Sequence, residues 1–252
     1  MPSRDATHPA PSSPLASPLA LFLFAVVPSR CAGCGGARRD TGGGGFCADC
    51  WAALPRFAPE TTCPRCALPT GGGTCRGCEN APPPVAGAVA LGPYEGTLKH
   101  LVHALKFEGH DILAAPAAAR LAVEVRRSGL DGVDAVVPIP STRRRNRERG
   151  YDPAALLGEE LARRLALRLL PALVRVKETP PQSALTAAAR RANVAGAFRA
   201  RPSAAGRSLL VVDDVLTTGA TAFAAAEALR AAGARHVALA VLARTPEPVR
   251  DA

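Results

Sequence analysis

All eight cysteines of this 252-residue chain lie between Cys31 and Cys78, in four Cys-x2-Cys pairs, and none follows Cys78. So tight a cluster is a local device. Four disulfides would suit a small secreted domain, but Cys-x2-Cys pairs beside the glycine-rich tips Gly42 to Gly45 and Gly71 to Gly73 have the spacing of thiolate ligands. Thiolates imply a reducing compartment, so a cytoplasmic chain is expected. The runs Cys31-x2-Cys34-x12-Cys47-x2-Cys50 and Cys63-x2-Cys66-x8-Cys75-x2-Cys78 supply ligands for two tetrahedral Zn2+ ions, with no position left open for water. Such ions would be structural. Worth on the order of 10–16 kcal/mol each in model peptides, they would replace a hydrophobic core in this stretch. Sequential and crossed pairings both satisfy the spacing.

Around this module the chain divides by composition. Residues 1 to 19, rich in Pro and Ser, are expected as a disordered tail. Leu15 to Val27 is apolar, yet its leading charge is weak, no clean cleavage site follows, and it is short for a bilayer. It reads as a short helix on the cysteine module, with no membrane span. Residues 20 to 80 form the double zinc ribbon, Ala81 to Pro84 a stiff linker, and residues 85 to 245 the main domain.

In the main domain apolar strands alternate with amphipathic helices. Strands are expected at Val85 to Leu91, Val133 to Ile139, Leu173 to Val176, Ser208 to Val215 and His236 to Ala243. Helices are expected at Glu95 to Phe107, Asp111 to Arg127, Pro153 to Leu169 and Ala220 to Ala232. That alternation predicts an α/β fold with a doubly wound, mostly parallel sheet.

The most specific string is Val211 to Thr221, VVDDVLTTGAT. The apolar run Leu209 to Val212 reads as a central parallel strand, and Asp213 and Asp214 follow at its C-terminal end, where ligands of such sheets bind. Val215, Thr217, Thr218, Gly219, Ala220 and Thr221 then run into a helix N-terminus, offering amides and hydroxyls to a phosphate. Two carboxylates beside a phosphate cradle would repel a bare phosphate. They make sense for a ribose 5-phosphate, whose 2- and 3-hydroxyls Asp213 and Asp214 accept. An acidic capping box is the plainer alternative.

In this string the chain resembles the type I phosphoribosyltransferases. The resemblance implies a 5-phosphoribosyl-1-diphosphate (PRPP) site with Mg2+, loss of pyrophosphate through an oxocarbenium-like state, and Asp213 and Asp214 as the catalytic pair. Members that act on 6-oxopurines have an acidic residue at the position matching Thr217, so no activity on hypoxanthine or guanine is expected. By the same resemblance the strand end Pro138, Ile139, Pro140 borders the pyrophosphate. Five arginines within residues 143 to 149, Arg149 among them, suit a diphosphate, a nucleic-acid patch or a solvated basic helix face.

Lys106, the segment Gln182 to Phe198 and the cysteine pairs complete a likeness to the ComF family, which joins a zinc module to a phosphoribosyltransferase domain. Where that family often has Phe-Asn-Gln, this chain has Tyr151-Asp152-Pro153, which puts a borrowed amide role in doubt. Residues 178 to 199, without an obvious buried strand, fit either a hood over the site or a surface helix from Leu185 to Asn193.

The resemblance implies a pentosyl-transferring glycosyltransferase with an unidentified acceptor. A non-catalytic PRPP sensor, or a factor for single-stranded DNA or for competence and recombination proteins, is the alternative. The formal charge of +10 suits phosphate-bearing partners of either kind, while 4% aromatic content argues against bases stacked on aromatic platforms.

Overall fold

The computed structural model describes residues 30–38, 45–178 and 193–246. The expected tail, the apolar stretch Leu15 to Val27 and most of the expected hood lie outside them. Five strands form one all-parallel sheet: β1 (Gly87–Pro93), β2 (Ala135–Pro138), β3 (Arg168–Leu169), β6 (Ser208–Leu216) and β7 (His236–Arg244), in the order β1-β7-β6-β2-β3. A separate antiparallel pair joins β4 (Leu173–Arg175) to β5 (Phe198–Ala200). That pair revises the expectation for the hood segment, whose C-terminal end holds a strand.

Successive residues of the strands serve opposite faces, as a pleated sheet requires. Leu210 and Val212 of β6 join one core with α3 (Gly96–Phe107), α4 (Ala114–Arg127) and α6 (Pro153–Leu165). Leu209 and Val211 join the other, with α7 (Ala220–Ala231) and the β4–β5 pair. All four of these strand residues are fully buried, which is why β6 reads as a continuous apolar run. Helix α6 ends at Leu165, short of the expected Leu169, because Ala166 turns left-handed and the chain enters β3 beside β2.

The cysteine module contains α1 (Ala48–Ala52) and α2 (Arg76–Asn80) and wraps the edge strand β1. Phe57 N donates to Leu91 O and Ala88 N to Pro64 O, so backbone from the module covers an edge that would otherwise be unpaired. Cys31, Phe46, Cys50 and Leu54 join the core on the α3 side, while Ala67 and Val85 join the core on the α7 side. The two halves of the module thus straddle the sheet edge. At Gly92 the backbone of Pro55 passes so close that a Cβ would lie 2.0 Å from its carbonyl oxygen. Metal therefore supplements a shared core here. Among the described residues no helix is long and apolar enough to cross a membrane.

Helix α6 leads from β2 to β3 on one face of the sheet, and α7 leads from β6 to β7 on the other. The crevice outside the C-terminal ends of β2 and β6 is thus the point where the winding reverses, the usual ligand position in such sheets.

Candidate functional site

That crevice is a cavity of about 930 Å3. Of the residues singled out from sequence, Lys106, Ile139, Pro140, Arg149, Asp213, Asp214, Val215, Thr217 and Thr221 line it. Pro138 does not. It pairs with Val212 in the sheet, and its ring lies against Gly158 of α6, where a Cβ would sit 3.3 Å from Pro138 Cβ.

Asp213 and Asp214 occupy the end of β6 and differ in their partners. Asp214 is buried and pairs with Lys106, Nζ to Oδ1 2.7 Å. Asp213 Oδ1 accepts from Asp214 N at 2.9 Å. Burial first, then the neighbouring Asp214 charge, raise the pKa of Asp213 from 3.8 to about 8, and Lys106 opposes the rise. A carboxyl pair held this way favours a proton, a cation or hydroxyl donors beside it.

Beyond the strand Thr217 is exposed, Thr218 Oγ1 accepts from Ala220 N at 3.4 Å, and Gly219 caps α7 with φ +80. Only glycine fits easily there, because a Cβ would lie 2.2 Å from Phe223 Cε2. Thr221, in the first turn of α7, lines the cavity, so the positive end of that helix favours an anion there.

The opposite wall comes from the segment after β2. Thr142 caps α5 (Arg143–Arg149) by accepting from Arg145 N, and Gly150 ends it with φ +81. Arg145 and Arg149 line the cavity, whereas Arg143, Arg144 and Arg147 are exposed. Asp152, standing where an amide was expected, accepts from Ser141 N (2.8 Å), Asn146 Nδ2 (3.2 Å) and Ala154 N (3.1 Å). A carboxylate thus gathers the strand end, α5 and the start of α6 by accepting alone, which an amide nitrogen could not do. Tyr151 donates its hydroxyl to Leu105 O at 2.7 Å, fixing this wall to the helix that carries Lys106.

Residues not foreseen also line the cavity, among them Tyr94, Phe107, Glu108, Glu148 and Arg175. Tyr94 directly follows β1, so its place at a parallel strand end was a usable signal. Arg175 lies on β4, outside the main sheet, where periodicity carries no such information. Burial lowers its pKa, and the charge of Asp213 is among the groups that oppose this. Asn193, Val194, Ala197 and Phe198 of the second sequence segment are described, while Gln182 to Arg191 lie outside the described residues.

The cysteines gather sequentially. Cys31, Cys34, Cys47 and Cys50 form one group, and Cys63, Cys66, Cys75 and Cys78 the other, with all sulfurs of a group within 4.8 Å of one another. Thiolates 2.3 Å from a tetrahedral zinc lie about 3.8 Å apart. Cys34 and Cys47 Sγ are 3.9 Å apart and Cys66 and Cys75 Sγ 3.7 Å. Gly33 N and Cys47 N point at Cys31 Sγ, as amides do toward a thiolate. Both groups fit structural Zn2+, and crossed pairing is excluded.

Residues 22–85 match the double zinc ribbon domain and residues 150–251 the phosphoribosyl transferase domain. The DNA utilization protein YhgH of Escherichia coli (strain K12) is 34% identical over 208 residues, covering 80% of this chain and 91% of that protein. Competence protein F of Haemophilus influenzae is 31% identical over 219 residues, covering 84% and 90%. Among solved structures, an allosteric regulatory enzyme of purine biosynthesis aligns with 56% of this chain and 30% of its own at 19% identity, TM-score 0.39.

Proposed function

The chain belongs to the ComF family, and from that membership we propose that it binds PRPP with Mg2+ in the cavity at the ends of β2 and β6 and transfers the 5-phosphoribosyl group. The reading rests on one observation above the others. A carboxylate pair, Asp214 buried and Asp213 half-buried, leads into a threonine- and glycine-built helix N-terminus, across a cavity from arginines.

In this proposal Asp213 and Asp214 accept hydrogen bonds from the ribose 2- and 3-hydroxyls. Thr217, Thr221 and the first amides of α7 hold the 5-phosphate. Arg145, Arg149 and Arg175, with the backbone of Ile139 and Pro140, face the diphosphate. The bond from ribose C1 to the diphosphate oxygen breaks with its electron pair leaving on pyrophosphate. Positive charge then builds on C1 and the ring oxygen until a nucleophilic atom of the acceptor bonds to C1 and releases its proton. The carboxylates stabilise that charge and the arginines the departing anion, so the protein contributes positioning and electrostatics. When bound, Mg2+ would neutralise diphosphate charge, held by the substrate's own oxygens and a carboxylate of the pair. The acceptor is a separate question, and a cytoplasmic, competence-linked setting belongs to the same proposal.

A second reading keeps the site for PRPP sensing and assigns single-stranded DNA to the exposed Arg143, Arg144 and Arg147. Calorimetric titration with PRPP and Mg2+ of the native chain and of Asp213→Asn/Asp214→Asn tests the PRPP site that both readings share. Binding by the native chain that the double variant loses is expected. No binding by the native chain removes the PRPP reading. A salt-dependent shift of single-stranded DNA, unaffected by the double variant, would favour the second.

A further inference from the structure

Arg244, the last residue of β7, is only 5% exposed. Its partners among the described residues are all carbonyl oxygens, and no carboxylate pairs with it. Nε donates to Cys66 O at 3.0 Å, and Nη1 to Leu216 O at 3.1 Å, to Thr217 O and to Thr245 O at 2.6 Å. One buried guanidinium therefore joins a ligand residue of the second cysteine group to the two peptide units that begin the phosphate loop. The three N–H groups on Nε and Nη1 share these four acceptors in one planar fork, a geometry that an ammonium could not hold.

The direction of those carbonyls matters for the loop. In a trans peptide the C=O of one residue and the N–H of the next point to opposite sides. Turning Leu216 O and Thr217 O inward to Arg244 turns the amides of Thr217 and Thr218 the other way. Among the described residues neither amide donates to a backbone carbonyl. A second contact follows the same route. Phe223, in the first turn of α7, packs against Cys63, Cys66 and Cys78 and fills the space under Gly219. The first cysteine group packs on the opposite face of the sheet, in the core with α3 and α4.

We propose that Arg244 is a positioning residue through which the second zinc site sets the conformation of the phosphate loop, so that zinc at Cys63, Cys66, Cys75 and Cys78 governs affinity for a ribose 5-phosphate. The knuckle Cys63 to Ala67 is a closed turn, Ala67 N donating to Cys63 O at 2.8 Å with Ala67 at φ +55. Zinc holds Cys66 O in place, Arg244 transmits that position, and the loop amides are aimed as a result. The affinity part rests on the PRPP reading, whereas the coupling between knuckle and loop does not.

The full-length zinc-loaded chain, Arg244→Gln, Cys75→Ser and the combination are compared by PRPP–Mg2+ calorimetry, zinc content and amide hydrogen exchange. Each single change is expected to weaken PRPP binding by about tenfold or more, and the combination to be barely worse than the worse single variant, as for residues acting in one chain of contacts. Arg244→Gln should keep both zinc ions. Exchange at Phe223, whose amide donates to Gly219 O, and at Thr245, whose amide donates to Leu216 O, reports the loop and should rise in all three variants while residues 209 to 212 stay protected. Cys34→Ser, which lowers zinc content at the other site, should leave exchange at Phe223 and Thr245 unchanged.

Multiplying effects, unchanged loop exchange in Cys75→Ser, or an equal loop response to Cys34→Ser would overturn the proposal. So would loss of protection throughout β6, since the knuckle would then be holding the sheet rather than the loop. Should the native chain not bind PRPP, the functional reading falls and loop exchange still decides the coupling.

Discussion

Replacing Gly219 by alanine tests the loop geometry with a magnitude that can be assembled from two separate effects. The residue lies at φ +80, a left-handed conformation that costs an L-residue about 1–2 kcal/mol. Its new Cβ would also lie 2.2, 2.6 and 2.8 Å from three atoms of the Phe223 ring. Carbon pairs settle at about 3.5–4.0 Å, so the ring must retreat by more than about 1 Å. It is wedged between the second cysteine group and the α7-side core, and overpacking of this kind costs about 1–3 kcal/mol. The total expected for Gly219→Ala is about 2–5 kcal/mol. Gly150 supplies the internal control, since it has φ +81 but nothing within 4 Å of a Cβ. Gly150→Ala should show the conformational cost alone. The difference between the two in ligand-free urea unfolding should then be about 1–3 kcal/mol, without a change of slope. Phe223→Leu placed behind Gly219→Ala should recover part of that difference. Equal destabilisation at positions 219 and 150, or no relief from Phe223→Leu, would refute the packing of Phe223 under the loop.

Three further outcomes are expected. Because the folded-state pKa of Asp213 lies above its ordinary value, the stability it confers is fully present below about pH 3.8 and is lost as pH rises toward about 8. Urea midpoints of ligand-free native chain, relative to Asp213→Asn, should therefore fall across that window, and a pH-independent difference would contradict the raised pKa of Asp213. Chelation should release exchange protection in residues 45 to 80 and along β1, since Phe46, Cys50 and Leu54 share a core with Leu91 and Leu98, while Leu209 to Val212 stay protected; an unaffected β1 would count against the shared core. With PRPP and Mg2+, neither hypoxanthine nor guanine should yield nucleotide, because Thr217 offers no carboxylate to a base proton. Product detected by chromatography from either base would sink that expectation.

What could be read in the sequence follows how local each determinant is. The strand before Asp213 was legible because four consecutive fully buried residues leave a sequence no way to alternate. The zinc groups were legible because both halves of each site lie within twenty residues of one another. The end of α6 was not, since its apolar periodicity runs on through Leu165 and Leu167, and only pairing of Arg168 and Leu169 with β2 decides that the chain turns at Ala166. Arg175 was invisible for a related reason, as the β4–β5 pair exists through contacts between distant segments.

Arg244 marks the sharpest limit. In a charge count it is one more contribution to the formal +10, an invitation to polyanions on the surface. In the fold it is interior, its charge shared among carbonyls from Cys66, Leu216, Thr217 and Thr245, three of which are far from it in sequence. Lys106, Arg145, Arg149 and Arg175 likewise face the cavity. A composition sums charge without regard to place, so it overstates the basic surface by the residues turned inward. Arg143, Arg144 and Arg147 remain outside on α5, as Arg163, Arg164 and Arg230 do elsewhere, and a contact with single-stranded DNA would draw on exposed arginines of this kind.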